Sequence, residues 1–253
     1  MERININDIQ IIKKTIDYGS FSDIHEVLYN NEKYAFKQFN DQRINANFLI
    51  EKYDELNAFN LNNSLIPNIF VEDGELNGFL IKLYNHKCFS FLYDCPIDLK
   101  IKLLKQAKTA MLEVHSRDII HGDIHPSNFL FRTCLLIDFD NSQFKNFKLN
   151  PEFVSKTGKK FLNAHKLSKD LDKYLFNYMT FSILNNSPYE PDKDKDKPCA
   201  FVEVDISNKE YGVFKSKEAI KICKSLLLED KIFNTDLLID TVDSSLLSKE
   251  KKI

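Results

Sequence analysis

The stretch that decides the fold is HGDIHPSNFLFRTCLLIDFD, which runs from His121 to Asp140. Within it, FLF and LLI are short enough to form the two strands of a small hairpin. Such a hairpin would bring Asp123, Asn128 and Asp138 to neighbouring strand ends on one side. Phosphoryl transfer from a nucleotide needs such a set. One carboxylate orients the attacking hydroxyl, while a second carboxylate and an amide oxygen hold Mg²⁺.

The pattern H-G-D-x-x-x-x-N followed by D-F-D resembles the protein-kinase-like superfamily, whose general form is H-R-D-L-x-x-x-N and D-F-G. The sequence HGDIHPSN is most similar to the corresponding motif of the aminoglycoside and choline kinase branch and of atypical bacterial kinases. The resemblance implies an α+β, bilobal fold. A small, mostly antiparallel β N-lobe with one C helix would occupy 1–84 and bind the nucleotide. A larger, mainly helical C-lobe with the catalytic loop would occupy 85–253, and the two together would form one kinase-like domain.

The resemblance also implies roles for the polar residues of the stretch. Asp123 becomes the base or hydroxyl-orienting residue, and Asn128 and Asp138 become the Mg²⁺ ligands. The alternative is a zinc site at His121 and His125. We do not expect zinc there, because no third ligand stands at a suitable spacing and the proline at 126 opposes a helix. In the family His121 braces the loop.

The sequence KYAFKQF, residues 33–39, supplies the lysine that the fold requires on its third strand. Tyr-Ala-Phe-Lys stands where V-A-I-K stands in the family, which implies that Ala35 lies against adenine and Lys37 binds the α and β phosphates. The alternative is a solvent-facing strand lysine. Lys37 needs a carboxylate partner, and a predicted amphipathic helix over 45–61 offers two. We favour Glu55 over Glu51, because apolar residues follow it.

Other nucleotide contacts are implied by position alone. IDYGSFSDI resembles the family's glycine-rich loop with only the middle glycine kept. Gly19 would be that glycine, Phe21 the aromatic at the loop tip and Ile24 the apolar lid over the base. Lys82 and Leu83 would belong to the hinge that meets the adenine edge through backbone groups.

Hydrophobic patterns predict the remaining elements. Residues 8–40 alternate as β structure with a turn at YNNEK, and NIFVEDGELNGFLIKLY predicts a hairpin that turns at EDG. IDLKIKLLKQAKTAMLEVHSRD, which begins at Ile97, carries the apolar stripe of a long helix. DLDKYLFNYMTFSILN is apolar nearly all round and predicts a buried helix. It resembles the family helix whose leading aspartate, here Asp172, holds the backbone of the catalytic loop.

Composition limits the possible partners. With 253 residues and 43% apolar residues the chain can build a sizeable core, and a net charge of -2 gives no general attraction to nucleic acid. Five scattered cysteines without C-x-x-C spacing indicate reduced thiols, and therefore a cytoplasmic protein. We expect neither a signal peptide nor a membrane span.

These features together predict a kinase that uses ATP and Mg²⁺ to phosphorylate a hydroxyl group of a protein or of a small molecule. The favoured form is a serine/threonine protein kinase. Gly122 replaces the arginine that receives activation-loop phosphate, so we expect activity without such phosphorylation. Serine/threonine kinases carry a lysine where His125 stands. A histidine at this position is typical of small-molecule kinases, so an aminoglycoside- or choline-type kinase is the alternative enzyme. The alternative that is not an enzyme is a pseudokinase, a binding module that would bind a partner and transfer no phosphate.

Overall fold

The computed structural model describes residues 2–18, 22–40, 46–84, 88–186, 221 and 237–242. The protein is α+β and combines a six-stranded mixed sheet with helices. The chain divides into two compact units. The sheet unit comprises Met1–Asn85, Ile137–Asp140 and Pro191–Ala200, and the helical unit comprises His86–Leu136, Asn141–Glu190 and Phe201–Ile253.

The sheet has the strand order β1-β5-β6-β4-β3-β2. β1 and β5 run parallel, and the other four neighbouring pairs are antiparallel. The strands are β1 (Glu2–Asn5), β2 (Gln10–Tyr18), β3 (Ser22–Tyr29), β4 (Glu32–Phe39), β5 (Ile69–Asp73) and β6 (Glu75–Lys82).

Two turns form where the sequence predicts them. Asn30 and Asn31 connect β3 to β4 with φ values of 48° and 63°, the positive values that a two-residue hairpin loop needs at both positions. Gly74 connects β5 to β6 with φ 74°. Asparagine and glycine reach this left-handed region at low cost, so both predicted turns are confirmed.

The two faces of the sheet have different neighbours. One face joins a buried apolar cluster, and the segment after β1 packs against it through Ile6 and Ile9. The opposite face carries Lys37 and Phe79, which are paired across β4 and β6. Helix α1 (Ala46–Ala58) packs on this second face, where ring centroids of Tyr53 and Phe79 lie 5.1 Å apart. The buried cluster comprises Ile4, Val27, Phe36, Ile69, Val71 and Leu80.

The helical unit contains the two helices that the apolar patterns predict. The long amphipathic helix α2 packs against the almost wholly buried α4. No helix in the described ranges is both long and apolar enough to cross a bilayer. The helices are α2 (Ile97–Ser116), α3 (Lys156–Ala164), α4 (Asp170–Leu184) and α5 (Leu238–Thr241).

The predicted hairpin of FLF and LLI forms only in part, because the two segments pair antiparallel around the predicted turn but do not form strands. Phe129 and Leu136 form a single isolated bridge, and no strand is present on either side of it. The chain between them turns tightly, because Arg132 and Cys134 have φ values of 76° and 55° and the Cys134 N–H donates to the Leu130 carbonyl at 2.9 Å. The Leu130 N–H donates to Leu135 at 3.0 Å while its carbonyl accepts from Cys134, so the paired hydrogen bonds of a regular ladder do not form.

Candidate functional site

Lys37 is paired with two carboxylates inside the sheet unit. Its ammonium donates to Asp138 Oδ1 at 2.9 Å and to Asp140 Oδ2 at 2.8 Å. The ring of Phe79 lies beside it, with Nζ 5.5 Å from the ring centroid. Lys37 stands on β4 instead of the expected third strand, because the short β1 precedes the β2-β3-β4 meander. Lys37 and Asp138, which lie 101 positions apart and belong to separate motifs, are therefore in contact.

The charge of Lys37 is stabilised by this arrangement. Burial acts to lower the pKa of Lys37, but attraction to Asp138 and Asp140 and the hydrogen bonds to them outweigh burial, so the pKa is raised above its ordinary value. Lys37 is consequently protonated at neutral pH. Asp138 has φ 65°, a left-handed conformation that aspartate adopts more readily than most residues and that often occurs at functional sites.

Helix α1 adds two donors to this cluster. Lys52 Nζ donates to the backbone carbonyl of Asp140 at 2.7 Å, and the Tyr53 hydroxyl donates to Asp140 Oδ1. Both side chains are fully buried. Burial, partly offset by Asp140 and Asp138, lowers the pKa of Lys52 to about 8. Burial and the neighbouring carboxylates raise the pKa of Tyr53, which therefore stays protonated and keeps donating.

The predicted partner of Lys37 is corrected by these contacts. Among the described residues Lys37 has no ion pair with Glu55 or Glu51, and its two carboxylate partners come from the segment 137–140. Glu55 is half-buried and Glu51 is exposed on α1. The reason is the rotation of the helix, which directs Lys52 and Tyr53 toward the cluster. Glu51 and Glu55 each stand two residues from Tyr53, which is about 200° around the helix, so neither shares the direction of Tyr53.

The structure describes some, but not all, of the other residues that are predicted to contact the nucleotide. Ile24 lies opposite Lys37 in the register of β3 and β4, and Ala35 is two residues before Lys37, so all three lie on the same face of the sheet. Lys82 extends the pairing of β6 and has an exposed ion pair, and the Leu83 N–H donates to a backbone carbonyl of β4 at 3.3 Å. The predicted loop residues, Gly19 and Phe21, lie outside the described residues.

In the helical unit, Asp172 holds the backbone of the predicted catalytic loop, as the sequence predicts. Its carboxylate accepts from the N–H groups of His121 and Gly122, each at 2.7 Å, and from His115 Nε2 at 2.9 Å. Asp172 is fully buried at the start of α4. Three donors on one buried carboxylate are the compensation that a buried charge requires, so the loop start is firmly fixed.

Gly122 is required by the backbone at this position. Its φ is 80°, and a Cβ there would lie 2.3 Å from Leu149 Cδ1 and 3.3 Å from the Asn141 carbonyl oxygen. Leu149 is itself buried. A glycine at position 122 therefore has a local steric reason.

Asp123 and Asn128 form a hydrogen-bonded pair in this loop. Asn128 Nδ2 donates to the Asp123 carbonyl at 2.8 Å and to Asp123 Oδ2 at 3.2 Å. No donor in the described part of the chain reaches Asn128 Oδ1 or Asp123 Oδ1, so each residue keeps one oxygen for another partner. The short 3-10 turn Pro126–Asn128 places the amide beneath the carboxylate.

His125 fixes and polarises Asp123. The Ser127 N–H donates to His125 Nδ1 at 3.2 Å, so the proton of the neutral ring sits on Nε2, which lies 3.2 Å from Asp123 Oδ2. Burial acts to raise the pKa of Asp123, but His125, together with His121 and Asn128, outweighs it, and the pKa is lowered. Asp123 is therefore ionised at neutral pH and can accept a proton or a hydrogen bond.

The oxygen donors suit magnesium better than zinc. No group of three or more histidine, cysteine, aspartate or glutamate side chains that could hold a metal ion occurs in the described ranges. Mg²⁺ is commonly bound by one or two carboxylates, with phosphates and water completing its shell, so a carboxylate such as that of Asp138 is chemically suited to it.

Neither the protein-family models nor the curated proteins include a match to this chain.

Lys52 and Tyr53 belong to the cluster although neither is predicted from the sequence. A signal for Lys52 is present: the residue stands three after Leu49 and four before Leu56, on the apolar stripe of α1. A lysine on a buried stripe needs an acceptor. The position of Asp140 as that acceptor has no separate signal in the sequence.

Proposed function

We propose that the protein is an ATP- and Mg²⁺-dependent phosphotransferase that transfers the γ-phosphate of ATP to a hydroxyl group. The observation that carries the proposal is the ion pair of Lys37 with Asp138. The resemblance selects the first as the phosphate-binding lysine and the second as a metal ligand, and their side chains are 2.9 Å apart. A lysine beside a metal-binding carboxylate suits the recognition of a phosphate chain that carries Mg²⁺.

The remaining roles follow from the chemistry of the side chains. The oxygen of the acceptor hydroxyl attacks the γ-phosphorus, its proton passes to the ionised Asp123, and the bond to the β-phosphate oxygen breaks to release ADP. Lys37 orients the α and β phosphates, and Asn128 and Asp138 supply oxygen ligands for Mg²⁺. When bound, Mg²⁺ neutralises the phosphate charge. Positioning and charge neutralisation supply most of the rate in this reaction class.

The nature of the acceptor is the second part of the proposal. We favour a serine/threonine protein kinase that does not depend on activation-loop phosphorylation, since Gly122 leaves no arginine to receive it. The contact of His125 with Asp123 favours a small hydroxylated acceptor as the second candidate, because a lysine at position 125 would instead reach toward the transferred phosphate. Protein and small-molecule acceptors are therefore tested side by side.

The test is phosphate transfer from γ-labelled ATP with Mg²⁺, first to lysate proteins and then to a panel of small hydroxylated compounds. Wild type is compared with Asp123→Ala and Asp138→Asn. Asp73→Asn, on an exposed hairpin position of the sheet unit, is the matched control. We expect Asp123→Ala to lower the rate by about 10²- to 10⁴-fold and the control to leave it unchanged. A wild type that labels nothing and hydrolyses ATP no faster than the variants contradicts the proposal and favours a pseudokinase.

A further inference from the structure

Both aspartates of the D-F-D segment contact Lys37, and helix α1 holds Asp140 in addition. Asp140 uses both carboxylate oxygens within the protein: Oδ2 accepts from Lys37 at 2.8 Å and Oδ1 accepts from the Tyr53 hydroxyl. Its backbone carbonyl is held as well, by Lys52 at 2.7 Å. Asp140 is thus fixed at three points, which suits a residue that positions another side chain.

Helix α1 is the source of the two donors that fix Asp140. A helix that offers an acidic side chain to the phosphate-binding lysine needs no further carboxylate beside it. Here α1 offers a lysine and a tyrosine instead, and both are fully buried. Two buried cations, Lys37 and Lys52, require compensating negative charge close by. Asp138 supplies one such charge and Asp140 supplies the second.

We propose that Asp140 is the residue that positions Lys37 for phosphate binding and that Tyr53 and Lys52 anchor Asp140 to α1, while Asp138 keeps the metal-binding role that the proposed function gives it. The inference rests on the proposed phosphotransfer. It gives a physical reason for the aspartate at the third place of D-F-D, because a glycine there has no carboxylate to pair with Lys37. It also accounts for the lack of an ion pair between Lys37 and Glu55 among the described residues.

The experiment measures kcat, the KM for ATP and the Mg²⁺ concentration for half-maximal rate in full-length variants. Asp140→Asn should lower kcat on the order of 100-fold, because Lys37 loses the anchor that sets its direction. Its Mg²⁺ requirement should stay that of wild type, whereas Asp138→Asn should raise the requirement. Asp140→Glu should restore part of the rate. Tyr53→Phe, which keeps the ring in the core, should lower kcat roughly 2- to 10-fold through loss of one hydrogen bond.

The outcomes separate the inference from the proposed function. An inactive wild type overturns both. An active wild type with an unaffected Asp140→Asn overturns the positioning role alone, and so does an Asp140→Asn that needs as much additional Mg²⁺ as Asp138→Asn, because Asp140 then acts as a metal ligand. If Asp140→Asn fails to fold, Tyr53→Phe decides: an unchanged kcat in that variant overturns the inference. Asp73→Asn again serves as the matched control.

Discussion

The buried ammonium of Lys52 should make the stability of the protein rise above neutral pH. Its pKa is lowered to about 8 by burial, with Asp140 and Asp138 offsetting only part of that effect, and in an unfolded chain it is about 10.4. Between these values the unfolded state holds a proton that the native state has released, so the free energy of unfolding increases with pH. The increase is about 1.4 kcal/mol per pH unit, which gives about 2 kcal/mol from about pH 8 to about pH 9.5.

The assay is denaturant unfolding followed by far-UV circular dichroism, because the chain has no tryptophan. Wild type is compared with Lys52→Met, which keeps a long unbranched side chain but cannot be protonated. Other groups that titrate in the window, including Cys134, whose pKa burial raises to about 12, are common to both proteins and cancel in the difference. The wild-type curve should rise relative to the variant above about pH 8. Parallel curves would refute the reasoning, because they would mean that the pKa of Lys52 is the same in the folded and the unfolded protein.

Two further predictions concern the loop in the helical unit. Asp172→Asn should lower the free energy of unfolding by about 3 kcal/mol, because an amide NH₂ replaces an oxygen that accepts from buried donors; an unchanged denaturation midpoint contradicts this. Gly122→Ala should lower the free energy of unfolding by about 2 kcal/mol, because the new Cβ contacts Leu149 and the residue must also adopt a positive φ. Gly74→Ala is the matched control, because Gly74 has φ 74° but no atom within 4 Å of the new Cβ, and it should lower the free energy of unfolding by about 1 kcal/mol. Equal losses in thermal or denaturant unfolding would show that the contact with Leu149 does not matter.

The sequence predicts those parts of the fold that depend on local pattern. Alternating apolar residues and asparagine or glycine turns locate the strands around Asn30 and Gly74, because these signals act within a few residues. A long apolar stripe locates α2, and an all-round apolar segment locates α4. The contact of Asp172 with the loop is predictable through the resemblance, because the sequences of the loop and of the helix both resemble those of the family.

The parts that the sequence does not predict depend on side-chain direction and on contacts distant in sequence. The sequence analysis favours Glu55 over Glu51 as the partner of Lys37, whereas the residues of α1 that reach the cluster are Lys52 and Tyr53. To identify them requires the rotation of the helix to within a fraction of a turn, which periodicity alone does not give. The role of Asp140 depends on residues of α1 some 90 positions earlier. The predicted hairpin is reduced to one bridge at Phe129, because the Leu130 carbonyl accepts from Cys134 in a tight turn for which the sequence has no strong signal.

The membership of Ile137–Asp140 in the sheet unit has a consequence for the order of folding. These residues are synthesised after more than 50 residues of the helical unit, yet they carry both carboxylates that compensate Lys37 and Lys52. A nascent chain that has released only residues 1–85 therefore contains two lysines destined for burial and lacks their counter-charges. We expect this fragment alone to be incompletely folded, and the N-terminal unit to reach its final packing only after Asp140 has left the ribosome.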